Sequence, residues 1–144
     1  MKKFSFKLDS VLRVRETRKK IAEKAVSITQ SRLNKVKDDM DEVNQKKEQS
    51  YFFDTPGQEM LFWMGVCGDY RKGLKIEEKQ LETQKQKLEN KLQVEKKMLI
   101  SKLRDEKVMT TLKEARQKEY MSEADKAEQR EMEELDILKR GNKS

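Results

Sequence analysis

Two pairs of neighbouring carboxylates, Asp38-Asp39 and Glu133-Glu134, and one thiol, Cys67, are the residues of this 144-residue chain whose types invite a catalytic reading. Paired carboxylates divide acid and base work only where burial drives their proton affinities apart. Both pairs sit in stretches of Lys, Glu and Gln that an exposed helix would carry, where nothing tunes them. The chain has no His, which excludes the commonest general base, the serine and cysteine triads and most zinc sites. Cys67 stands alone, so neither an internal disulfide nor a cysteine metal cluster can form. It reads as a small buried hydrophobe in a protein of the reducing cytosol. No phosphate-cradling or dinucleotide-binding glycine motif is present. The expectation is a non-enzyme with no cofactor, no metal and no small-molecule substrate.

The elements that would carry surfaces instead of a catalytic centre follow from composition. Only 34% of residues are hydrophobic and 42% are charged, too little apolar area for a globule to offset chain entropy. Five Gly and one Pro against an abundance of Lys, Glu, Gln, Leu and Met favour long helices whose core is a narrow seam. No apolar run approaches the roughly 20 residues of a membrane span, and the basic start lacks the apolar block of a signal peptide. A cytoplasmic protein is expected.

From Val26 the apolar positions run Val26, Thr29, Leu33, Val36, Met40 and Val43, in alternating steps of three and four, which is a heptad seam. Upstream, Leu8, Val11, Leu12, Val14, Ile21, Ala22, Ala25 and Ile28 spread over a wider face able to meet more than one neighbour. Ser5, Asp9 and Ser10 compete as caps for a helix over about 5–50. Asp54-Thr-Pro-Gly-Gln58 then breaks the pattern, with Thr55 as cap, Pro56 in the first turn and Gln58 as the reciprocal partner of a capping box. Gly65, Gly68 and Gly73 predict a kink or irregular turn beyond it. Leucines at 74, 81 and 88 are seven apart, whereas 81, 92 and 103, and 88 and 99, are eleven apart, which predicts a locally straight second helix. The pattern ends near Gly141.

The fold class expected is all-α: residues 1–144 form one antiparallel coiled-coil hairpin, with a helix over about 5–50, a turn over about 53–57 and a longer helix over about 58–140. The second helix outreaches the first, so unless it breaks some 30 or more C-terminal residues should lack an intramolecular partner and need cover from an assembly. Residues 1–24 hold nine bases and three acids, and residues 121–140 four bases and seven acids. Folding back would bring these ends together and favour antiparallel pairing slightly.

Two surfaces stand out. Tyr51, Phe52, Phe53, Leu61, Phe62, Trp63 and Tyr70 concentrate aromatic and apolar side chains around the turn, either capping the coiled coil or forming a docking patch. Arg13, Arg15, Arg18, Lys19, Lys20 and Lys24 form a basic segment suited to a solvated face, an acidic protein, anionic lipid or nucleic acid phosphates, though no base-reading motif accompanies it.

The opening Phe4-Ser-Phe-Lys-Leu-Asp-Ser-Val-Leu-Arg-Val-Arg15, the charged helix after it, the aromatic turn with Trp63 and Tyr70, and the ending Glu-Met-Glu-Glu-Leu-Asp-Ile-Leu138 resemble the flagellar FliJ family over essentially the whole chain. The resemblance implies a cytoplasmic component of the flagellar type III export apparatus, peripherally associated with the inner membrane and similar to the rotor stalk of rotary ATPases. Its implied partners are the hexameric export ATPase, the cytoplasmic domain of the export-gate membrane protein, and export chaperones. Arg13, Arg15, Arg18, Lys19, Lys20, Leu135 and Leu138 would then face the ATPase ring. Val43, Tyr51, Trp63, Tyr70, Leu74 and Leu81 would face the gate. Lys46 and Lys47 stand where further aromatics are expected in the first helix. The stalk of a virulence-type secretion system or rotary ATPase, and a nucleic-acid-binding coiled coil, are the alternatives.

Overall fold

Long runs of helix-forming residues with few breakers give two helices, α1 over Asp9–Ser50 and α2 over Met60–Gly141, and no strand among the described residues. The computed structural model describes residues 3–51 and 60–142. The chain is all-α, its two helices pack antiparallel, and α2 is the longer. The expected capping box at Thr55, Pro56 and Gln58, the turn over 53–57, and Phe52 and Phe53 lie outside the described residues.

Contacts group into two compact units, one of residues 1–20 with 101–144 and one of residues 21–100. In the second unit the α1 seam comprises Ala22, Val26, Thr29, Leu33, Val36, Met40 and Val43, all buried or half-buried, and the same spacing carries on through Lys47 and Ser50. Thr29 is 1% exposed and Val43 2%, so the predicted heptad positions are the ones that face α2. Opposite them run Cys67, Arg71, Leu74, Glu78, Leu81, Lys85, Leu88, Leu92, Glu95 and Leu99, again in steps of four and three. The wide apolar face of α1 is only partly used here: Ala22 is buried, whereas Ile21 and Ile28 are exposed.

In the first unit α1 starts at Asp9, whose backbone N–H donates to the Phe6 carbonyl at 3.1 Å. The helix therefore begins four residues later than expected. The reason is tertiary: Phe6 is buried, the Phe4 ring lies 5.5 Å from that of Tyr120, and the Arg116 guanidinium stands over the Phe6 ring. Lead-in residues that would face water in a helix gain cover by running alongside α2 instead. Asp9 caps nothing with its side chain; its carboxylate accepts from Lys113 Nζ at 3.1 Å and pairs with Arg13. Leu12 and Met109 join Phe6 as the buried apolar residues of this unit among the described residues, with Lys102, Glu106, Lys113 and Tyr120 half-buried.

The buried positions of α2 thus keep a seven-residue period, which revises the expectation of an eleven-residue one. Leucines eleven apart arise because a step of seven and a step of four both stay on one seam. Leu103, which the longer repeat requires, is 43% exposed. Helical structure also continues through Gly65, Gly68 and Gly73, where a Cβ would meet nothing within 4 Å, so the expected kink gives way to continuous α2. Among the described residues no helix is long and apolar enough to cross a membrane.

Candidate functional site

The first candidate surface belongs to the unit of residues 1–20 and 101–144. The basic first turns of α1 project toward α2 at some positions and toward water at others. Arg15 donates through Nη1 to the Asp105 carbonyl at 2.7 Å, and Lys19 pairs with Glu106 at 2.8 Å. Arg13 reaches back one turn to Asp9 at 3.4 Å. Lys113, the partner of Asp9, holds that carboxyl below the usual carboxylate range through its hydrogen bond, against a smaller opposing effect of desolvation. Of the five expected ring-facing bases, Arg18 and Lys20 are therefore the ones left exposed with no ion pair among the described residues. Val11 and Val14 are exposed beside Arg18, and with Ser10, Arg15 and Arg18 they line a shallow groove.

From residue 125 to 142 every side chain is exposed, among them Met132, Leu135, Ile137 and Leu138. The uncovered stretch is shorter than the 30 residues expected, because Phe4 and Phe6 extend the cover on α2 as far as Tyr120 and Ala124. The acid-rich segment 121–140 also escapes the basic start of the chain. The bases there reach Asp105 and Glu106, and none of the seven acids of the segment has an ion pair among the described residues. Charge complementarity between the two ends is thus not what holds the hairpin in register. Interhelical ion pairs lie earlier in α2, at Glu106 with Lys19 and Lys113 with Asp9, and at Lys47 with Glu78 in the other unit.

The second candidate surface, in the unit of residues 21–100, gathers where α1 ends and α2 begins. Tyr51, Leu61, Phe62, Trp63, Met64, Val66 and Tyr70 are exposed, with the Phe62 and Trp63 rings edge to face at 5.6 Å. Trp63, Val66, Cys67 and Tyr70 of α2 and Lys46, Gln49 and Ser50 of α1 line a mostly apolar groove. Of the residues expected to face the gate, Tyr51, Trp63 and Tyr70 are on this surface. Val43 and Leu74 are not: both are buried in the seam, and Leu81 is half-buried there, because they occupy heptad positions that α1 and α2 use on each other.

Sequence reasoning missed Arg71, which organises this surface. Its Nε donates to Ser50 Oγ and its Nη2 to the Ser50 carbonyl, both at 3.0 Å, and its guanidinium lies 3.9 Å above the Tyr51 ring. A cation at the C-terminal carbonyls of α1 satisfies groups that the helix leaves open and opposes its dipole. The signal was legible only in part, since an Arg at a heptad position opposite a helix end has no motif of its own.

Among the described residues no group of three or more His, Cys, Asp or Glu is placed to hold a metal ion. Cys67 is buried in the seam, as expected of a small hydrophobe. The described residues form an antiparallel helical hairpin with exposed apolar stripes. The family model of the flagellar FliJ protein matches residues 4–143, and the chain belongs to the FliJ family, a component of the flagellar export apparatus. No curated protein and no solved structure matches it.

Proposed function

We propose that this chain is a non-catalytic central stalk of the flagellar export machinery, set in the channel of the hexameric export ATPase, promoting ring assembly and linking the ring to the cytoplasmic domain of the export gate. It works in the cytoplasm at the inner membrane. The observation that carries the reading is the bare C-terminal segment of α2. Met132, Leu135, Ile137 and Leu138 lie exposed on a helix that has outrun its partner, and an apolar stripe of that kind is covered when a partner closes around it. Arg18 and Lys20 add charge on the same unit. The aromatic surface with Tyr51, Trp63 and Tyr70 is the face offered to the gate, and an escort role for export chaperones would use the same face.

The test is the activity and oligomerisation of the cognate export ATPase with and without the full chain. Stimulation and hexamer formation are expected, and indifference of the ring would overturn the stalk role. The match to a flagellar family favours this machine over a virulence-type secretion system or a rotary ATPase. A nucleic-acid role loses support because Arg13, Arg15 and Lys19 are engaged with Asp9, Asp105 and Glu106.

A further inference from the structure

We infer that the free chain self-associates as a reciprocal dimer, in which the C-terminal segment of α2 of each copy seats on the outer face of the first turns of α1 of the other. The two surfaces match in chemistry. Residues 121–140 carry seven acids against four bases, a net of three negative charges, and none of those acids has an ion pair among the described residues. Residues 1–24 carry nine bases against three acids, and although Arg13, Arg15 and Lys19 are engaged within the chain, Arg18 is exposed on the face of Val11 and Val14. Each side also presents apolar groups on one helix face: Val11 and Val14, one turn before Arg18, and Met132, Leu135 and Leu138, flanked by Glu131 and Glu134. Val11 to Arg18 rises about 10 Å along the axis and Met132 to Leu138 about 9 Å, so the two patches are of matching length.

Charge selects this pairing over the simpler one. Two C-terminal segments lying side by side would bring together two net negative helices, whereas a segment on the basic first turns joins opposite signs. Area selects the reciprocal arrangement. A single contact of one short helix on another falls near the size of adventitious packing, and two-fold repetition doubles it toward the roughly 1,200 Å² of a specific interface. The inference rests on the stalk reading in one respect. Leu135, Leu138 and Arg18 are also residues offered to the ATPase ring, so the dimer would withhold them until the ring competes.

Sedimentation of the full chain alone, from roughly 1 to 100 µM, tests this without the ATPase, so its failure leaves the stalk reading standing. The expected result is a monomer–dimer equilibrium that weakens at least about tenfold when salt rises from about 0.05 to about 0.5 M. Leu135→Glu with Leu138→Glu should give a monomer of unchanged helix content, since both positions are exposed. Arg18→Glu should weaken the dimer, whereas Lys20→Glu, on the opposite flank of α1, should not, and adding Glu131→Lys with Glu134→Lys to Arg18→Glu should restore it. A monomer at every concentration would overturn the inference. So would a dimer indifferent to the leucine and Arg18 variants, one strengthened by salt, or one abolished by Trp63→Ala with Tyr70→Ala.

Discussion

Arg71 shows how one side chain can join the end of one helix to the flank of the next. Its fork satisfies both the hydroxyl and the carbonyl of Ser50, a residue 3% exposed, while its plane covers Tyr51. Arg71→Ala should cost about 1 to 2 kcal/mol in urea unfolding, the loss of two hydrogen bonds at a partly buried site. Arg71→Lys should recover only part, because an ammonium cannot donate to both oxygens in that fixed geometry. Asp9 gives a pH signature at the same scale. Its folded-state proton affinity is lowered by Lys113, so the stabilisation is whole above the usual carboxylate range and is lost as pH falls through the folded value. The deficit of Asp9→Asn relative to the natural chain, small because the pair is only half-buried, should be present at neutral pH and vanish in acid. A deficit that persisted in acid would assign it to helix-end effects instead of the ion pair.

The helices are held by a seam one residue wide, so its apolar positions have few neighbours to share a loss. Leu33→Ala, at a position 3% exposed, should cost about 2 to 3 kcal/mol by thermal or urea unfolding, the low end of the range for core leucines because a thin core relaxes readily. The glycines of α2 should behave oppositely. Gly65→Ala and Gly73→Ala sit in open space within a continuous helix and should each raise stability by up to about 1 kcal/mol. Unchanged or lowered stability would show a local conformation other than helix.

The same elements explain what the sequence could reveal. The seam of α1 was legible because Val26 to Val43 are apolar at every step except Thr29, and burial follows them. The seam of α2 was not, because half of its positions are polar: Arg71, Glu78, Lys85 and Glu95 in one unit, Lys102, Glu106 and Lys113 in the other. An apolar count samples such a seam sparsely and finds intervals of eleven in a period of seven. The start of α1 was misplaced for a third reason. Local propensity favoured helix from residue 5, while Phe4 and Phe6 gain more by packing on Tyr120 and Arg116 than by extending a helix into water. The docking surfaces were legible as composition and not as contacts: the structure keeps Tyr51, Trp63, Tyr70, Leu135 and Leu138 exposed and takes Val43 and Leu74 into the seam.

At the scale of the whole molecule, two apolar surfaces are exposed among the described residues, each within its own contact unit, so each can be altered without touching the other. Trp63→Ala with Tyr70→Ala should weaken capture of the export-gate domain while leaving stimulation of the ATPase intact, read by pull-down beside an activity assay. Loss of both functions together would mean that the two surfaces do not act separately. The most direct measurement is a titration of the cognate export ATPase with the full chain and with Leu135→Glu, Leu138→Glu, following phosphate release and hexamer formation. The stalk account predicts that the natural chain raises both and that the double variant, folded to the same helix content, raises neither. Equal stimulation by the two chains, or by neither, would contradict it.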